Sequence, residues 1–205
     1  MIFEQIPVGE MQNFCYLIGC EKTKIAAVVD PAFEEGKLYE AAQKHGLTIN
    51  VILLTHTHFD HIEAVGRVSA ETKAAIYVHK NEASAVSGDV HTVTGGDTIK
   101  VGTVPVKVIE TPGHTPGGVT YQSGKKLITG DALFVEGCGR TDLQGADPEV
   151  MWDTIKKFKA MPDEYEIYPG HDYGSIPHST IKHEKEHNHF LLCQTREEFF
   201  SERVG

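Results

Sequence analysis

Thr55-His56-Thr57-His58-Phe59-Asp60-His61 is the stretch on which the reading of this chain turns. It follows Val51-Ile52-Leu53-Leu54, an apolar run that reads as a buried strand bounded by polar residues. A strand ending here sets three imidazoles and a carboxylate on one short loop, aimed at one point. Histidines packed so closely repel one another as falling pH charges them. A divalent cation reverses that balance, because neutral imidazole is a good ligand for zinc and iron. A polar turn with chance histidines is the plain alternative, and the clustering argues against it. The chain reads as a metalloprotein.

Three further segments share this design. His114 lies in Thr111-Pro112-Gly113-His114-Thr115-Pro116-Gly117-Gly118, just after the alternation Val104, Val106, Val108. Asp131 ends Leu127-Ile128-Thr129-Gly130-Asp131, and His171 sits in Tyr168-Pro169-Gly170-His171 past the short run Glu166-Ile167-Tyr168. Each occupies a strand end beside glycine, where functional residues sit on a layered scaffold.

His-x-His-x-Asp-His, Gly-His-Thr-Pro-Gly, Thr-Gly-Asp and Pro-Gly-His, in that order, resemble the metallo-β-lactamase superfamily over nearly the whole chain, from about residue 2 to 192. The resemblance implies an α/β architecture, the αβ/βα sandwich, with two mixed β-sheets face to face, helices outside and metals at one edge. It is expected to span residues 1–205 as a single domain. It also implies one metal site of His56, His58 and His114, and another of Asp60, His61 and His171, with Asp131 bridging and Asp60 and Asp131 serving catalysis.

With 205 residues, 40% of them apolar, the chain can bury one substantial core. Its 19 basic and 29 acidic residues give a net charge of −10, which argues against a nucleic-acid surface. Cys15, Cys20, Cys138 and Cys193 show no CxxC spacing and read as reduced thiols of a cytoplasmic protein. No apolar stretch approaches membrane-spanning length, and Met1-Ile2-Phe3-Glu4 carries no export signal. Homodimerisation is left open.

Phe14 to Gly19 and Ile25 to Val29 read as paired strands, and Asp30-Pro31 ends the second. Glu34 to His45 has helical spacing with Gly46 as its stop, and Ile62 to Ala70 is expected to be helical. Ala75 to Val78 reads as a strand and Asn81 to Val86 as a short helix. Asp147-Pro148 caps a helix to about Ala160 with a core stripe of Val150, Ile155 and Phe158, and Trp152 is assigned to packing.

Gly137-Cys138-Gly139-Arg140-Thr141-Asp142 is similar to a loop shared by glyoxalase II and the persulfide dioxygenases, both of which act on glutathione derivatives. The likeness implies that Arg140 and Tyr173 contact a glutathione-like thiol substrate, for which a guanidinium suits a carboxylate. An ion pair with Asp142 is the alternative for Arg140. Arg140-Thr141-Asp142, the stretch from His171 to Glu184, and the expectation that no helical domain follows Gly205 favour the dioxygenase. That activity implies one Fe(II) per chain on His56, His114 and Asp131, oxidising glutathione persulfide to sulfite with O₂. The alternative is a hydroxyacylglutathione thioesterase with a dinuclear Zn/Fe centre. A non-catalytic metal-binding protein is the lesser one. Phe59 departs from the dioxygenase pattern, His189 replaces a proline that commonly follows Asn188 in both groups, and Gly145-Ala146-Asp147-Pro148 looks more like the single-domain glyoxalase II-like proteins. Cys138 is read as a packed thiol, and His183 and His187 as one face of a solvated helix among Lys182, Glu184, Lys185 and Glu186.

Overall fold

In the computed structural model, which describes residues 1–204, two six-stranded mixed sheets pack face to face. The first runs β1 (Ile2–Val8), β2 (Asn13–Gly19), β3 (Ile25–Val29), β4 (Thr48–Leu53), β5 (Ala75–His79), β6 (Val90–Val93), antiparallel to β3 and parallel from there. The second has the spatial order β12 (Ser179–Thr180), β11 (Glu166–Pro169), β10 (Lys126–Gly130), β9 (Val119–Ser123), β8 (Val104–Glu110), β7 (Thr98–Val101). Only its β10–β11 pair is parallel.

Strand alternation builds the layers. Phe14, Tyr16 and Ile18 of β2 face the second sheet and join Val106, Val108, Tyr121 and Ile128 in the central core. Cys15 and Leu17, on the opposite face, pack with Leu38, Ala41 and Ala42 of α1 (Glu35–Lys44) and with α3 (Val65–Thr72). Leu127 and Ile167 turn outward to meet α4 (Pro148–Lys159), α5 (Ile181–His187), α6 (His189–Leu192) and α7 (Arg196–Val204). The period of two thus puts apolar residues on both faces of the inner strands, which helices cover. The αβ/βα sandwich expected from the sequence is present.

Three local expectations need correction. The helix expected at Ile62 starts earlier, because α2 (Phe59–Ile62) begins inside the metal loop with His58 as its extended N-cap and Asp60 in the first turn. It breaks before α3, where the Ala64 N–H turns to the Pro31 carbonyl. Only a 3₁₀ turn, Ala83–Ala85, forms in the segment after β5. On α4 the buried stripe is Met151, Thr154, Ile155 and Phe158, and Val150 is half-buried, because i, i+3, i+4, i+7 spacing puts Met151 on the core side. Asp147 caps α4 as expected, accepting from the Glu149 and Val150 N–H groups.

α4 also docks on the turn that carries His114. The Thr154 hydroxyl donates to the Pro112 carbonyl at 2.6 Å, and the Asp147 N–H donates to the Gly113 carbonyl at 2.8 Å. Gly113 has φ +128°, and a Cβ there would lie 2.5 Å from the Met151 Cα. Gly113→Ala should therefore overpack this contact and cost about 1–3 kcal/mol. Urea denaturation checks this, and an unchanged midpoint would refute the docking role.

Candidate metal centre

The C-terminal ends of β3, β4, β8, β10 and β11 lead to one edge of the sandwich. Asp30 follows β3, His56 and His58 follow β4, and α2 supplies Asp60 and His61. His114, Asp131 and His171 follow β8, β10 and β11. Backbone bonds from the Val119 N–H to the Thr55 carbonyl and from the Phe14 N–H to the Gly170 carbonyl, both 2.8 Å, stitch the sheets together there.

All seven ligand positions expected from the sequence converge, His58 half-buried and the other six buried. His56, His58 and His114 form one group and Asp60, His61 and His171 another, with ligating atoms within 4.8 Å in each. Asp131 lies between them. Its Oδ2 is 3.5 Å from His114 Nε2 and 3.4 Å from His171 Nε2, and its Oδ1 is 3.3 Å from His61 Nε2.

Hydrogen bonds behind the rings set the tautomers. His61 Nδ1–H donates to Asp30 Oδ2 at 3.1 Å, His114 Nδ1–H to the Arg140 carbonyl at 2.8 Å, and His171 Nδ1–H to the Met11 carbonyl at 2.9 Å. The Thr55 hydroxyl gives its proton to Asp30, so Thr55 Oγ1 accepts from His56 Nδ1–H at 3.1 Å. In its neutral form each of these four rings then aims an Nε2 lone pair inward, the arrangement that outer partners impose on metal-ligating histidines.

The donors fit a metal. His56 Nε2 and Asp131 Oδ1 are buried with no hydrogen-bond partner. His61 Nε2 lies 3.2 Å from His171 Nε2 and 3.6 Å from Asp60 Oδ2, and His171 Nε2 lies 3.3 Å from the same oxygen. A tetrahedron with metal–ligand bonds of about 2.0–2.1 Å has edges of about 3.3–3.4 Å. The second group is therefore spaced as a zinc-type cation requires.

Protonation shifts follow from the same crowding. Burial opposes charge on Asp131 and Asp60, yet the neighbouring His61 and His171 hold both carboxyls below the usual range. Burial also disfavours imidazolium at His171, but Asp131 and Asp60 outweigh it and raise the ring to about 9. His56, buried beside His61, is pushed well down.

Residues 8–171 match the metallo-β-lactamase superfamily. The chain belongs to that superfamily. It is 31% identical over 201 residues to the probable polyketide biosynthesis zinc-dependent hydrolase PksB of Bacillus subtilis, covering 94% of this chain and 87% of the relative. It is 40% identical over 163 residues to the hydroxyacylglutathione hydrolase of Methylobacterium nodulans, covering 78% of this chain but only 63% of that enzyme. The crystal structure of ETHE1 from Myxococcus xanthus superimposes with a TM-score of 0.93 at 36% identity, over 100% of this chain and 91% of the other.

Arg140 and Tyr173 lie on the wall of a 560 Å³ cavity that opens onto the metal-site residues. Arg140 is exposed and holds Asp142 through two bonds, Nε to Oδ1 at 2.9 Å and Nη2 to Oδ2 at 2.7 Å. Tyr173 stacks parallel on His171, centroids 4.5 Å apart, and donates to the Met11 carbonyl. Sequence reasoning missed Asp30, which accepts from Thr55 N, Thr55 Oγ1 and His61 Nδ1, and Asn13, whose amide donates to Asp60 Oδ2 at 3.1 Å. Asp30 carried the same signal as the ligands, a polar residue closing an apolar strand.

In the metal-free protein, protons must supply the positive charge among these acceptors. A ring raised from 6.5 to about 9 stabilises the fold fully below pH 6.5 and loses that contribution as pH rises through 9. The Tm of metal-free protein should fall between pH 6.5 and 9, and added zinc should abolish the fall. A metal-free Tm that is flat or rising over this window would contradict the proton account.

Proposed function

We propose that the protein is a dinuclear metal-dependent hydrolase of glutathione-type thioesters. The observation that carries this is the pair of ligand groups, His56, His58, His114 and Asp60, His61, His171, with Asp131 between them. In the mononuclear alternative the second group would be a hydrogen-bonding shell. In the neutral rings, the tautomers set by Asp30 and Met11 leave no proton between His61 Nε2 and His171 Nε2, so a metal ion there would replace the protons that the metal-free site takes up. Two divalent cations so held would supply a water acidified towards neutrality and would polarise the thioester carbonyl.

The chain's own residues do the rest. Asp131 and Asp60, held ionised, carry the negative charge that two cations need. Met11, Phe59, Phe134, Leu143 and Tyr173 line the cavity and exclude water from the substrate's apolar part. Arg140 exchanges its exposed partner Asp142 for a substrate carboxylate, since exposed ion pairs are weak. Tyr173 and the Met11 carbonyl keep the His171 ring in its plane. Persulfide oxidation at one Fe(II) on His56, His114 and Asp131 is the second reading, favoured by the Arg140-Thr141-Asp142 run.

A hydroxyacylglutathione assayed without oxygen separates the two. Thiol release at a rate unaffected by air is the expected result. Oxygen uptake with glutathione persulfide, and no thiol release from the thioester, would replace hydrolysis by oxidation. His58→Ala should cost one of the two metals and most of the turnover. As an outer residue of a mononuclear site, it would leave the iron bound and cost about 10–100-fold. Arg140→Ala should raise KM for glutathione esters and spare kcat, since a remote contact is equally strong in ground and transition states. An unchanged KM would leave Arg140 to Asp142.

A further inference from the structure

Glu82 follows β5, outside both donor groups and outside the substrate cavity, and is only 7% exposed. A carboxylate is buried at this cost only where hydrogen bonds repay it. Its Oε1 accepts the Gly117 N–H at 2.9 Å, and its Oε2 accepts the Thr57 hydroxyl. Thr57 stands between His56 and His58, and Gly117 lies three residues beyond His114. One side chain thus ties together the two loops that carry the first donor group. Its own backbone N–H donates to the His79 carbonyl at 2.8 Å, and the His79 ring pairs with Glu110 at 3.1 Å, which anchors the strap to β5 and β8. Gly117 leaves room for it, since a Cβ there would lie 2.5 Å from Glu82 Cγ and 2.8 Å from His79 Nδ1.

We infer that Glu82 is a positioning residue that sets the separation of His56 and His58 from His114, and so the metal affinity of that half-site. The inference rests on the metal-centre reading above. The other half-site has its own supports, Asp30 behind His61, Asn13 on Asp60 and the Met11 carbonyl on His171, so the effect of losing Glu82 is confined to one ion.

Stepwise zinc affinity, read by competition with a chromogenic chelator, tests this on the full chain. Glu82→Ala should weaken one zinc by about 10-fold, the low end of the loss for direct outer partners of metal ligands because Glu82 acts on the ligands through Thr57 and Gly117, and leave the other unchanged. Glu82→Gln keeps one acceptor oxygen and should fall in between. Adding Thr57→Ala to Glu82→Ala should cost nothing further, because the two groups make one interaction. Unchanged affinities in Glu82→Ala would overturn the inference. So would an equal loss at both sites together with a lowered metal-free Tm, which is the signature of a purely structural role. Failure of the dinuclear reading shows in the wild-type protein instead, as one ion per chain. The strap is then tested on that ion, since His56 and His114 belong to its ligand set in both readings.

Discussion

Imidazoles and carboxylates buried face to face need positive charge among them, as protons or as a metal ion, because unpaired acceptors and charges in a dry site are costly. Here the Nε2 atoms of His56, His61, His114 and His171 and the oxygens of Asp60 and Asp131 meet in that way, with His58 Nδ1 2.9 Å from His114 Nε2. The rest of the structure serves this meeting. Strands deliver the ligands, backbone bonds between the sheets hold the strand ends together, and outer hydrogen bonds decide which nitrogen of each ring faces inward.

Asp30 shows how much of the design lies behind the ligands. It sits at φ +47°, in the left-handed region that non-glycine residues rarely adopt. Its carboxylate gathers Thr55 and His61, and through Thr55 it sets the tautomer of His56. Strain of this kind persists where the surroundings over-determine it, and here three accepted hydrogen bonds do so.

His114, Asp131 and His171 were legible in the sequence because each follows a short apolar strand beside glycine, and His56, His58, Asp60 and His61 because they crowd the loop after another, patterns that survive without knowledge of the fold. The outer partners were not. Glu82 lies 25 residues from Thr57 and 35 from Gly117, and no local periodicity connects them. Glu184 sits in a charged run that reads as a solvated helix face, yet it is fully buried and accepts from Glu136 N, Asn188 Nδ2 and Ser179 Oγ. The start of α2 escaped for a related reason. Asp60 and His61 face the metal centre, so the apolar spacing that marks a helix begins only after them. For Arg140 the sequence offered a substrate anchor and an ion pair with Asp142, and the structure holds the ion pair.

The proposed binding of two cations, with Asp131 between their ligand groups, is tested most directly by metal content. Protein purified without oxygen and analysed for zinc and iron should carry two ions per chain, falling to one or none in Asp131→Ala. One ion per chain in the wild type, insensitive to added zinc, would contradict the dinuclear centre.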